Sequence, residues 1–242
     1  MAKIIVYSAN IGKYDKFREP IIVDPNIEYY LFTDDEEITS NVWKIINYKF
    51  EDDNLDNRKK SRFFKCNPHL ILPEHDISIW IDSSFLPLFD NTNNLLDKIA
   101  FWDKNIMIYK HYTRKCLYKE ANVAKGMNYD TPDIIDKQMA RYKEEGFPEN
   151  YGLFESGFII RKNNDDTNKY NELWWEEIKN NSSRDQLSQM YVSWKTNITI
   201  TPIMVGKDVY NNEFIGEYTY HSGKSIIPNW SMEKIMDLYR NK

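Results

Sequence analysis

The chemistry this chain can offer is concentrated in a few short segments. Asp82-Ser83-Ser84 follows an apolar run, so its carboxylate projects where a ligand arrives at the end of a strand in an open α/β sheet. A hard cation such as Mg²⁺ or Mn²⁺ takes oxygen ligands of this kind together with substrate phosphates. The same tripeptide also suits an ordinary strand-ending turn. Upstream, Arg58, Arg62 and Lys65 stand at i, i+4 and i+7, which puts three cations on one helix face, with Lys59 and Lys60 beside them. Guanidinium forks and ammonium groups suit phosphate oxygens, although a solvated basic face is the plain alternative.

Late in the chain, Tyr220-His221-Ser222-Gly223-Lys224 offers a neutral imidazole for a metal, a glycine that lets backbone approach a phosphate, and a lysine to neutralise it. It reads equally well as a surface turn, and it lacks the other glycine of a Walker-type loop. Two acids remain for the reaction itself. Asp185 lies at the start of an amphipathic helix, where the helix dipole favours an acid and a rigid general base can be held. Glu155, in Phe154-Glu155-Ser156-Gly157, is read as preceding a strand; an ordinary loop acid is its simpler reading.

These side chains need a scaffold, and the periodicities predict one. Strands are expected over 3–8, 28–33, 76–82, 106–109 and 157–161. In 76–82, Ile77, Ile79 and Ile81 alternate with Ser78 and Trp80, which predicts one buried face. Helices are expected over 57–67, stopped by Pro68, and over 170–179 and 184–194. In the last of these, Leu187, Met190, Tyr191 and Trp194 mark the core face. Strands alternating with helices predict an α/β fold: a mainly parallel sheet covered by helices on both faces, in one domain over 1–242. Trp80, Trp174, Trp175 and Trp194 are read as core.

Bulk properties narrow the class. A net charge of −5 argues against a general nucleic-acid binder and leaves room only for a local phosphate site. No run approaches the ~20 apolar residues of a membrane-spanning helix. Met1-Ala2-Lys3 leads straight into Ile4-Ile5-Val6-Tyr7, too short for a signal-peptide core. Cys66 and Cys116 have no metal-ligand spacing and are read as reduced thiols. The expectation is a cytoplasmic protein, peripheral at most to a membrane-associated glycan pathway.

Taken in order, Tyr7 through Asp15, Tyr30 through Asp34, Arg58 through His69, Trp80 through Ser84, His111 with Arg114, Glu155-Ser156-Gly157 and Arg184-Asp185-Gln186 resemble a GT-A glycosyltransferase. More narrowly, they resemble the glycosyltransferase-like family once catalogued as a domain of unknown function, with plant polysaccharide-synthesis, bacterial and viral members. The resemblance implies a Rossmann-like GT-A domain that moves a sugar from a nucleotide-sugar donor, a UDP-sugar first, to a glycan or other hydroxyl acceptor. It implies that Ser8, Ala9, Asn10, Gly12, Tyr14 and Asp34 hold the base and ribose, and that Arg58, Arg62, Lys65 and Lys224 face the diphosphate. Asp82, Ser84 and His221 would hold Mn²⁺ or Mg²⁺; Ser84 stands where such enzymes carry the second acid of an Asp-x-Asp motif. Asp185 and Glu155 would be catalytic, with His111, Arg114, Ser156 and Gly157 lining the sugar or acceptor pocket. A sugar nucleotidyltransferase and a non-catalytic nucleotide- or carbohydrate-binding protein of the same fold are the alternatives. The first would call for a glycine-rich basic loop, whereas 9–15 holds one glycine and one lysine.

Overall fold

The computed structural model describes residues 2–20, 22–50, 54–204, 206, 208–210 and 212, and the backbone of 215–219 and 225–226. From the N-terminus come β1 (Ile4–Asn10), β2 (Glu28–Thr33), β3 (Lys44–Asn47), α1 (Asn57–Cys66), α2 (Pro68–Ile71), β4 (Ile77–Ile81), β5 (Phe85–Pro87) and α3 (Thr92–Lys98). Then follow β6 (Ile106–Lys110), α4 (Leu117–Gly126), α5 (Pro132–Glu144), β7 (Phe154–Lys162), α6 (Asp165–Asn180), α7 (Gln186–Thr196), β8 (Ile200–Pro202), β9 (Ile215–Thr219) and β10 (Ser225–Ile226).

Seven strands form one sheet in the order β3-β2-β1-β4-β7-β6-β8, and β10-β9-β5 form a small antiparallel sheet. In the large sheet only β7 runs antiparallel to its neighbours. The architecture is therefore the expected Rossmann-like α/β fold with a mostly parallel sheet. Strand alternation sorts side chains into two cores: Ile5, Tyr7 and Ala9 of β1 enter one, Ile4 and Val6 the other. Aromatic and aliphatic side chains of α1, α4, α5, α6 and α7 pack the first core, whereas among the described helices α3 alone adds Leu96 to the second. Helices thus flank both faces, but unevenly.

Three sequence expectations are corrected here. The strand over 76–82 does not have a single buried face: all five residues of β4 are buried, because a central strand covered on both sides has no solvent face. Glu155 does not precede a strand; it is the second residue of β7, which begins three residues earlier than the periodicity indicated. Asp185 is the N-cap of α7, accepting from the Gln186 amide at 3.0 Å, rather than a first-turn acid.

One consequence of the topology places the site. The parallel strands β1, β4 and β6 all end at the same edge of the sheet. Because β7 is reversed, its beginning lies at that edge too, and the Asp82 amide donates to the Gly157 carbonyl at 2.9 Å. Residues after β1 and β4 and at the start of β7 therefore meet at one cleft.

Candidate active site

The cleft is a cavity of about 730 Å³, floored by Ala9, Asn10, Asp82, Ser84, Glu155 and Gly157 and walled by the starts of α1 and α7. Its β1 side is shaped by a loop that closes on itself. Asn10 Nδ2 donates to the Asp15 carbonyl (2.6 Å), and the Asp15 amide donates back to Asn10 Oδ1 (3.2 Å). Gly12 sits at φ +71°, and its amide donates to the Asp34 carboxylate at 2.8 Å. A Cβ there would lie 2.2 Å from Asn57 Nδ2, so glycine lets the loop rest against the start of α1.

Beneath the floor, Lys65 is fully buried, with its ammonium 2.8 Å from Asp82 Oδ1 and 2.6 Å from Asp185 Oδ2. Trp80 Nε1 donates to the same Asp82 oxygen at 2.7 Å, and the ammonium lies 5.3 Å from the Trp80 ring centroid. Arg62 Nε stands 3.1 Å from Asp185 Oδ2, an ion-pair distance without hydrogen-bond alignment. Burial alone would raise the Asp185 carboxyl, but the charges of Arg62, Lys65 and Arg184 and the hydrogen bond from Lys65 hold it well below the usual carboxylate range. Asp185 is a fixed anion that aims two cations.

A third layer holds the ammonium in place. Arg161, fully buried in β7, donates through Nη2 to the Lys65 carbonyl (2.6 Å) and to the Tyr7 hydroxyl, and through Nη1 to Asn171 (2.8 Å). Tyr7 donates to that carbonyl as well, at 3.0 Å. The last turn of α1 is thereby pinned to β1, β7 and α6.

On the opposite side, Glu155 Oε1 lies 3.3 Å from His111 Nε2, and Glu155 Oε2 accepts from Gln186 Nε2 at 3.1 Å. His111 Nδ1 faces the backbone amides of Thr113 and Arg114 at 3.2 and 3.1 Å, which makes it an acceptor and leaves the ring proton on Nε2. Burial, reinforced by Arg114, lowers the imidazole to about 4, so it is neutral at pH 7. Buried Glu120 sits behind the pair, held by Arg114 Nε (2.5 Å) and Arg184 Nη2 (3.3 Å). Burial of Glu155 outweighs the neighbouring arginines and, with the Glu120 charge, pushes its carboxyl up to about 7. Two carboxylates of one site are thus driven apart, Asp185 down and Glu155 up, the pattern that separates roles in acid–base chemistry.

Of the residues singled out from sequence, Ala9, Asn10, Tyr14, Arg58, Arg62, Asp82, Ser84, Glu155, Ser156, Gly157 and Asp185 line the cavity. Among the described residues, the others are not brought to its wall. Ser8 is buried inside β1, and Gly12 with Asp34 shapes the loop from outside. Lys65 is no open phosphate contact, because its ammonium is enclosed by two carboxylates. His111 and Arg114 lie behind Glu155. His221 and Lys224 fall outside the described residues. Sequence reasoning missed Glu120, Arg161, Tyr129 and Asp130. Glu120 had a signal: it shares the apolar face of α4 with Leu117, Ala121 and Ala124, an acid where the pattern calls for a hydrophobe. Asp130 Oδ2 accepts from the Ser183 amide (2.8 Å), and Arg58 donates to the Tyr129 carbonyl, so the turn after α4 closes the far wall.

For a hard divalent ion the described residues present few oxygen donors. Asp82, whose Oδ1 is taken by Lys65 and Trp80, lines the cavity together with Ser84. The described residues hold no group of three His, Cys, Asp or Glu suited to a metal, so such an ion would take most ligands from a diphosphate and water.

A Rossmann-like sheet with a basic helix start, a strand-end aspartate and a buried glutamate around one cleft is an arrangement suited to binding a phosphorylated ligand. Over residues 1–220 the chain matches the family described as TOD1/MUCI70, glycosyltransferase-like domain, and it belongs to that family. It is 27% identical, over 82% of its length, to the probable hexosyltransferase MUCI70 of Arabidopsis thaliana, and it spans 39% of that protein. Among solved structures it resembles A197 from STIV at 10% identity and a TM-score of 0.40, covering 94% of each chain.

Proposed function

We propose that this chain transfers a hexose from a nucleoside-diphosphate donor, a UDP-sugar first, to a hydroxyl of a glycan or other acceptor. The observation that carries this reading is the convergence of Arg58 and Arg62, Asp82 and Glu155 on one cavity at the ends of the parallel strands. In the reaction the bond between the anomeric carbon and the diphosphate oxygen breaks, and its electron pair leaves with the diphosphate. The acceptor oxygen bonds to that carbon and loses its proton. Arg58 and Arg62 stabilise the charge growing on the leaving group, as preorganised cations do in electrostatic catalysis. A divalent ion at Asp82 and Ser84 would supply Lewis-acid stabilisation of the same oxygens.

Glu155 receives the acceptor proton in this scheme. Its carboxyl titrates near neutrality, which suits a base working at physiological pH, whereas Asp185 is too strongly held as an anion to accept a proton. Neutral His111 Nε2 beside Glu155 Oε1 and Gln186 Nε2 donating to Oε2 hold this carboxyl in orientation. Asn10, Tyr14 and the loop they belong to receive the nucleoside.

The reading is tested by thermal unfolding with UDP, GDP, CDP and their sugar conjugates, with and without Mn²⁺, because a ligand selective for the native state raises stability in step with its affinity. A shift with one nucleotide class that is lost in Arg62→Ala supports it. A folded protein indifferent to every nucleotide overturns it. A shift unaffected by Mn²⁺ or by Asp82→Ala keeps the nucleotide site and removes the metal.

A further inference from the structure

Beside the cleft lies an exposed aromatic side chain set on a buried one. Tyr112 is 64% exposed, yet it is not a loose surface side chain. Its ring stacks on buried His111 with centroids 5.2 Å apart and planes at 9°. His111 is itself immobilised, by two backbone amides at Nδ1 and by Glu155 at Nε2. The rings of Tyr112 and Tyr210 lie 6.5 Å apart at 84°, and Tyr210 lines the cavity and packs against buried Phe85 at 5.9 Å. The imidazole stacks on the tyrosine ring, most of the side chain stays exposed, and Tyr210 links it to the cavity.

From this geometry we infer that Tyr112 and Tyr210 form a carbohydrate-stacking platform that binds a pyranose ring of the acceptor. The inference rests on the glycosyltransferase reading, and it narrows the acceptor to a glycan. A pyranose with mostly equatorial substituents presents a flat patch of C–H groups on one face and hydroxyls around its rim. An aromatic ring locked in orientation takes that patch at small entropic cost, since little rotamer freedom is left to lose. Continuity with the cavity selects this occupant over a protein surface: one imidazole ring separates the platform from Glu155. A sugar stacked on Tyr112 would therefore place a neighbouring residue of the same glycan against the carboxyl that takes its proton. Tyr112 binds and orients in this scheme and touches no reacting atom.

The test uses saturation-transfer NMR and acceptor kinetics on the full chain with soluble xylohexaose, cellohexaose and β-1,4-galactohexaose. Wild type is expected to bind at least one hexaose, Tyr112→Phe to keep that binding, and Tyr112→Ala to weaken it about tenfold. In transfer assays the same variant should raise the acceptor KM with little change in kcat, whereas Tyr151→Ala, an exposed tyrosine elsewhere, should change neither. Wild-type saturation transfer to none of the three hexaoses, or equal transfer in wild type and Tyr112→Ala, overturns the platform. If UDP still stabilises the wild type in either of those cases, the donor site stands and only the platform falls. Failure of both UDP stabilisation and hexaose binding removes the underlying reading as well.

Discussion

Glu155 and Asp185 have burial in common, yet the site uses it in opposite ways, and each half of the contrast can be measured. For Glu155, burial with few compensating donors leaves the carboxyl near 7. If it accepts the acceptor proton, kcat/KM should rise with pH and level off above an apparent pKa near 7, and Glu155→Gln should abolish that limb and lower kcat by about 10² to 10⁴. Stability should move the other way. The native state holds the Glu155 proton up to pH 7, whereas the unfolded chain releases it near ~4.3, so native stability falls between those values as pH rises. Glu155→Gln lacks that decline and should gain on wild type from pH 5 to pH 8 in parallel melting curves; a constant difference would show that Glu155 titrates normally. For Asp185, burial is overcome by Arg62, Lys65 and Arg184. Lys65 is shared by Asp82 and Asp185, so removing its charge alone withdraws a buried counter-charge from two carboxylates at once. Lys65→Met should cost ~3–5 kcal/mol in urea unfolding, against the ~0–1 kcal/mol of an exposed pair.

Among the elements, α1 does most of the positioning, and what fixes it is a residue with no obvious local signature. Arg161 reaches from β7 to the last turn of α1, where the Lys65 carbonyl accepts from both it and Tyr7. Arg161→Met keeps most of the buried volume but leaves that carbonyl and Asn171 short of a donor. The expected result is a stability loss of ~2–4 kcal/mol, with hydrogen-exchange protection falling first in α1. Uniform loss across the sheet would assign Arg161 to general packing. Sequence could reach part of this. The cation spacing of α1, the exact span of β2 and the aspartate after β4 follow from local pattern. Arg161 is buried among groups 65, 7 and 171, distant in the chain, and a charge inside a strand carries no mark of where its partners lie. Likewise β3, β5, α4 and α5 lack the clean periodicity that revealed α7, because short strands and half-buried helices mix polar and apolar residues. The reversal of β7 was also illegible, since strand direction is set by the crossover and not by the strand's composition. It is this reversal that brings Glu155 beside Asp82.

Across the whole molecule the charge balance is acidic, 37 Asp and Glu against 32 Lys and Arg, while the described cavity gathers Arg58, Arg62 and Arg184 at its wall. Among the described residues no helix is long and apolar enough to cross a membrane. On the proposed reading, an anionic donor meets net repulsion at a distance and, within the cleft, three arginines set among the carboxyls of Asp15, Asp56, Asp82, Asp130, Glu155 and Asp185, where the walls limit screening. These opposing contributions respond differently to salt. Raising ionic strength from about 20 to about 500 mM shortens the Debye length from roughly 20 Å to roughly 4 Å, which removes the distant repulsion and weakens the exposed Arg58 contact, but reaches the buried Arg62–Asp185 pair far less. UDP affinity measured by calorimetry should therefore fall only a few-fold over that range. Arg58→Ala should weaken UDP binding by about tenfold at low salt and by less at high salt, whereas Arg62→Ala should cost about the same at both. Equal salt sensitivity in the two variants would mean that the diphosphate sits at the open start of α1 and does not reach the layer in which Asp185 holds Arg62. The chemistry would then lie nearer to Tyr129 and Asp130 than to Asp82.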